Sequence, residues 1–324
     1  MKPVTSGAAS RSDPRPGGAS SRPPGPNVGH RGFDIGRFVA SCILLLLASD
    51  PAMAVDVGSL WDFSKPDESE QRFRHALERA TGDDALILQT QIARTYSLRR
   101  DFEAARKLLR RIEPAIAAAG PEARARYELE LGRSYASSAH PPESRTPESL
   151  AQARRAFDAA LGIARAARLD GLAVDAIHMF AFLDTSPSDQ LKWGRAALDV
   201  VEASSQPDAK RWEASIHNNV GHALHQLGRY EEALAQFQQA LVIRERGTDA
   251  EATRVARWMV AWTLRSLGRI DEALAMQIRL EKECDAIGKP DPYVFEELEA
   301  LYRAKGDDAR AERYARRRSA AGKP

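Results

Sequence analysis

The sequence predicts an all-α fold in which antiparallel helix pairs stack into a solenoid, and three observations carry that prediction. Ala, Arg, Leu and Glu recur along the chain, aromatic residues are only 7% of its 324 positions, and no long Val/Ile/Thr alternation argues for strands. Within residues 214–247, two amphipathic runs meet at Leu227-Gly228-Arg229-Tyr230. The first carries Val220, Gly221, Ala223, Leu224 and Leu227. The second carries Ala233, Leu234, Phe237, Ala240 and Leu241, and spacings of three and four keep each set on one helical face. Gly228 follows the first run, where a left-handed residue can cap the free carbonyls. A pair of this kind cannot bury its apolar stripe alone, so it demands neighbours on both sides.

The order of small residue, Leu-Gly, aromatic, then Ala, Phe and Ala at intervals of four and three closely resembles a tetratricopeptide repeat (TPR). The resemblance implies a right-handed solenoid in which the first helix of each pair lines a concave face that binds a protein or peptide. It extends over most of residues 85–318, as about six pairs, and is sharpest in the units at 214–247 and 253–284.

Residues 1–30 mix Pro, Gly, Ser and Arg without apolar periodicity, as in a disordered stretch or an upstream extension of the reading frame. Arg31 and Arg37 then precede the apolar run FVASCILLLLA at 38–48, and Ala52-Met53-Ala54 follows. A positive region, a short apolar core and a small-x-small motif are the parts of a secretory signal peptide. Residues 31–54 are therefore expected to direct export, to a periplasmic or secreted location, and to be cut after Ala54. The run is shorter than the roughly 20 residues that span a bilayer, so a membrane contact is expected only if the segment stays uncleaved. Removing residues 1–54 takes away six basic and three acidic residues and leaves 41 of the 47 basic and 42 of the 45 acidic ones. The remaining chain is near neutral, which gives no case for a nucleic-acid partner. Of the two cysteines, Cys42 lies in the leader, so Cys284 alone remains and a disulfide framework is excluded.

Residues 55–84 read as a linker and a covering helix that starts near Pro66 and carries Phe73, Ala76, Leu77 and Ala80. The first unit has Ile92, Ala93 and Tyr96 on one helix. Ala105, Leu108, Leu109 and Ile112 follow on the other before Pro114, with Asp101-Phe102 at the turn. In the second unit, Leu131, Gly132 and Tyr135 face Ala153, Phe157 and Ala160 across a long insertion loop at 137–149 (SSAHPPESRTPES). Thr146 followed by Pro147 reads as an N-cap with proline at the first helical position. The third unit, residues 172–203, carries Ile177 and Phe180, then Trp193, Ala197 and Val200 after Ser186-Pro187, in an ambiguous register. The fourth is 214–247. The fifth repeats Leu-Gly at Leu267-Gly268, 40 residues after Gly228, with Thr248 and Glu251 expected as its capping box. The sixth carries Leu298, Tyr302, Gly306, Ala311 and Tyr314. It closes on a basic run at 313–318, the polar outer face that a terminal repeat needs, ahead of a flexible tail at 319–324.

No H-E-x-x-H, G-x-S-x-G or phosphate loop occurs, so neither an enzyme nor a cofactor is expected. His222 and His225 share a helical face, but no Cys or second His pair with zinc spacing stands near them, so no metal is expected either. Transferring register between the fourth and fifth units places Asn218, His222, His225, Trp258, Trp262 and Arg265 on the concave face. Arg94 and Arg133 take the matching position in the first two units and suggest a partly basic groove. The family's paired Lys and Asn clamp for a terminal carboxylate is only half present, as Asn218 without the lysines. Trp258 and Trp262, four apart, either grip an extended peptide or pack against the next helix. The expected function is an exported scaffold that binds a protein or peptide through its concave face. The alternative is a self-associating or bridging component of a cell-envelope complex.

Overall fold

The computed structural model describes residues 55–322. The stretch 1–30, the leader at 31–54 and the cut after Ala54 therefore lie outside the described residues. Two short helices, α1 (Val57–Leu60) and α2 (Pro66–Leu77), lead into six helix pairs. The first three are α3 (Gly82–Leu98) with α4 (Phe102–Ile116), α5 (Pro121–Tyr135) with α6 (Pro147–Ala166), and α7 (Asp170–Phe180) with α8 (Pro187–Ala203). A four-residue helix, α9 (Pro207–Lys210), is inserted before the fourth pair, α10 (Glu213–Gln226) with α11 (Tyr230–Glu245). The fifth and sixth are α12 (Ala250–Ser266) with α13 (Ile270–Ala286), and α14 (Pro292–Ala304) with α15 (Asp308–Ala321). No strand occurs among the described residues. The fold is an all-α TPR-type solenoid.

Each turn within a pair has a physical cause. Gly228 lies at φ +71°, its N–H bonds the His225 carbonyl at 3.0 Å, and the Arg229 N–H bonds the Leu224 carbonyl at 2.9 Å. That is a Schellman motif, and Gly268 and Gly306 repeat it. In the first pair, where Leu-Gly is absent, Arg100 adopts the same left-handed conformation at φ +66° and the same two bonds form. The turn geometry outlives its glycine.

Side-chain oxygens cap several helix starts: Asp101 for α4, Thr146 for α6, Ser186 for α8 and Asp291 for α14. At α12 the structure corrects the expected capping box. The N-cap is Asp249, whose carboxylate accepts from the Ala252 N–H at 2.9 Å, because the helix begins at Ala250. Pro114 is accommodated inside α4. It sits in the last turn, and the helix runs on to Ile116. At the C-terminus, α15 continues to Ala321, past the expected end at Arg318.

The Ala-Phe-Ala stripes of α6 and α11 are fully buried. Each buried phenylalanine contributes on the order of 1.5–3 kcal/mol relative to exposure. Phe157 packs against Gly132, where a Cβ would stand 2.3 Å from its ring, and Phe237 packs against Gly221, where the distance would be 2.8 Å. The core divides into two clusters that meet on α5: Tyr127 belongs to the first, with Trp61, Phe73 and Leu109, and Leu129 to the second. The basic run of α15 is paired rather than bare, since Arg317 bonds Asp285 at 2.9 Å and Arg318 bonds Glu299 at 3.1 Å.

Candidate functional site

The first helices α3, α5 and α10 turn one face toward a common hollow. Gln91 and Arg94 of α3, Glu122 and Arg126 of α5, Asp208 and Lys210 of α9, and Ala214 and Ser215 of α10 line one cleft of about 820 Å³. Groups from the first, second and fourth pairs surround the same space, with Ile243 and Arg244 of the second helix α11 among them.

Along this inner face the structure builds a charge network, a cavity and an aromatic stack. The network joins three consecutive first helices. Arg133 of α5 bonds Glu130 at 2.5 Å and also bonds Asp175 of α7, and Arg94 of α3 stands 3.8 Å from Glu130 and 3.9 Å from Asp175. Burial pulls the Arg133 guanidinium down, but the charges of Asp175 and Glu130 and their hydrogen bonds overcome it and hold it above its ordinary value. Arg94 also lies over the rings of Trp61 and Phe63, at 5.5 and 5.1 Å. Two arginines face two carboxylates, so the partly basic groove expected here is charge-compensated. The side chains that neutralise it lie one turn before Arg133 and on the first helix of the next pair.

The cavity, of about 250 Å³, opens where α7 stops short. That helix has 11 residues, against 17 in α3 and in α12. After Phe180 the chain turns through residues 181–185 before Ser186 starts α8. Phe182, Trp193, Ala197, Ile216 and Met259 form apolar walls, with Gln190, Asn218, Asn219 and Gln226 as amides. His178 stands between this cavity and a smaller one of about 90 Å³ that reaches Arg94, Arg133 and Asp175. Burial pushes its imidazole down to about 4, with Asp175 opposing and Arg133 and Arg94 reinforcing, so it is neutral near pH 7. The insertion loop takes part: Arg145 donates to the Phe182 carbonyl at 2.5 Å and lines the cavity, while Ser137, Ser138 and Ala139 line its smaller neighbour. Arg145 thereby ties the insertion loop to the turn that follows α7.

The aromatic stack continues along α10 and α12. His225 lies on Trp262 with centroids 3.4 Å apart, His222 is 6.2 Å away at 26°, and Trp258 is 5.7 Å away at 22°. His225 also bonds the Ser266 hydroxyl at 2.9 Å. Its imidazole is pushed down to about 4 by burial, with His222 and Arg265 adding to the effect.

Six of the expected residues, Asn218, His222, His225, Trp258, Trp262 and Arg265, thus lie together on α10 and α12, while Arg94 and Arg133 stand apart at the charge network. Trp258 is buried, which favours the packing role for that residue, and Trp262 is half-buried under His225. Arg265 is not free for a partner's carboxylate, because Glu297 of α14 takes it in a bidentate pair at 2.7 and 2.9 Å. His217 turns to Gln236 of α11 at 2.8 Å, away from the other two histidines. No group of three His, Cys, Asp or Glu with metal-holding geometry occurs among the described residues. Sequence reasoning missed Asp175, His178, Phe182, Asn219 and Arg145. Asp175 and His178 were findable, three apart on one helix, once the third unit's register was known. Arg145 carried no signal, since its place depends on how a loop folds back.

Comparison with known proteins adds to this geometry. Residues 212–280 match the tetratricopeptide repeat family model. That segment spans the fourth pair and most of the fifth. No curated protein matches the sequence. Among solved structures, the chain resembles a STAND-type signal transduction ATPase with a TPR sensor from Pyrococcus horikoshii, at 13% identity and a TM-score of 0.61. The match covers 78% of this chain but only 38% of that one, so the likeness is to part of a larger protein and is one of fold. Aspartyl phosphate phosphatase F from Bacillus subtilis aligns more loosely, at 14% identity and a TM-score of 0.49 over 78% of this chain and 75% of that one. No described helix is long and apolar enough to cross a membrane.

Proposed function

We propose that this TPR array binds an extended segment of a protein or peptide along the inner face of its first helices, and that it does so after export. One observation carries the binding reading: the apolar, amide-lined cavity of about 250 Å³ where α7 ends early, continuous through His178 with the inner face of the first pairs. Asn218, Gln190 and Gln226 make no side-chain hydrogen bond among the described residues, so their amides can both donate to and accept from a peptide backbone. The surface is preformed on rigid helices, so little ordering entropy is lost on association. The reading is of a binding protein. Export rests on the leader at 31–54 alone.

Panning a displayed random-peptide library against residues 55–324 tests the binding reading. Enriched peptides should lose affinity by about tenfold or more on Gln226→Trp, an exposed groove position, with helicity unchanged. Peptides that bind this variant as well as the parent would place the interaction elsewhere. Intact-mass analysis of the protein from an envelope fraction tests export. A chain beginning at Val55 is expected, and an uncleaved cytosolic chain would overturn that part.

A further inference from the structure

Resting on that reading, we infer what the cavity beside α7 selects: the aromatic side chain of an extended peptide that carries an Asp or Glu next to it, with Arg145 taking the carboxylate. The cavity's size argues for a side chain rather than a free small molecule. At about 250 Å³ it falls below the roughly 300–1,000 Å³ of small-molecule sites, yet it holds one ring and its backbone. Its walls argue for aromaticity. Phe182 and Trp193 present ring faces or edges, and Met259 a polarizable sulfur, all of which favour an aromatic guest over an aliphatic one.

Charge argues for the acid. No carboxylate lines the cavity. Two arginines further along the first helices are already spent: Arg133 on Glu130 and Asp175, and Arg265 on Glu297. Asp184, next along the turn, is taken by Arg154 and by the Trp193 indole N–H at 2.9 Å. Arg145 makes no ion pair among the described residues, and its one bond, to the Phe182 carbonyl, leaves most of its five N–H donors available at the cavity rim. His178 and His222, the other titratable groups lining the cavity, are both held below their ordinary values by burial and are largely uncharged near pH 7. Arg145 is then the cation that sets the preference.

The test is fluorescence anisotropy with capped, labelled octapeptides of Gly/Ser background carrying Phe-Asp, Ala-Asp or Phe-Lys at the centre, measured on the protein and on Arg145→Glu. Phe-Asp should bind about tenfold tighter than either other peptide, and Arg145→Glu should reverse the order of Phe-Asp and Phe-Lys. Arg145→Gln, which keeps a donor for the Phe182 carbonyl, should abolish the preference without reversing it and guards against loss of the loop. Equal binding of all three peptides, blocked by Gln226→Trp, would overturn this inference and leave the groove reading standing. No binding of these peptides, together with a panned library that enriches nothing, would overturn both.

Discussion

At the level of single residues, positive φ and burial decide more than side-chain identity does. Gly228 and Arg100 occupy equivalent turns at φ +71° and +66°, one at no steric cost and the other against the crowding of a Cβ. Gly228→Val should destabilise the protein by about 1 kcal/mol or more, and Arg100→Gly should stabilise it by about 0.5–1 kcal/mol, both read from urea denaturation midpoints. If the two changes shift the midpoint in the same direction, the turns are not equivalent. His178 supplies a pH dependence. Its folded pKa of about 4 lies below the 6.5 of the free side chain, so between those values the unfolded chain takes up the proton and the folded one does not. Stability should therefore fall as pH drops from about 6.5 to about 4, by at most about 3 kcal/mol from this residue. His225, also held at about 4, adds to the same window, so His178→Gln should lessen the slope there rather than abolish it. An unchanged slope in the variant would show that His178 is not the group responsible.

At the level of elements, three first helices are tied by the four charges of Arg94, Glu130, Arg133 and Asp175. Arg133→Ala takes the hydrogen-bonding cation from two buried carboxylates, leaving only the more distant Arg94, and should cost about 3–5 kcal/mol in denaturant unfolding, whereas adding Asp175→Asn should recover part of the loss. Strictly additive losses would mean that the pair does not interact. Most of the elements themselves were legible in the sequence. The Leu-Gly turns, the Ala-Phe-Ala stripes and the Ser186-Pro187 and Thr146-Pro147 starts each state a local rule that the chain obeys. What was not legible depends on distant partners. Arg94, Arg133 and Arg265 read as free cations because the carboxylates that neutralise them sit on the same helix out of register or on the next pair. The cap of α12 moved to Asp249 because Thr248 and Asp249 both fit the local rule and the helix start chose between them. The cavity arises from a helix that ends early, in the unit whose register the sequence left ambiguous.

At the level of the whole molecule, a stack of helix pairs offers two surfaces: the inner face of the first helices, and the outer face of the second. Placing a photo-crosslinking phenylalanine analogue at Gln226, exposed at the inner cavity, or at Arg279, exposed on the outer helix α13, separates them in the native host. The variants should fold alike, since neither position is buried. The same discrete protein or peptide adduct should form from Gln226 and not from Arg279, and Arg145→Glu should weaken it. Adducts from Arg279 alone, or equally from both, would contradict an inner-face binding site.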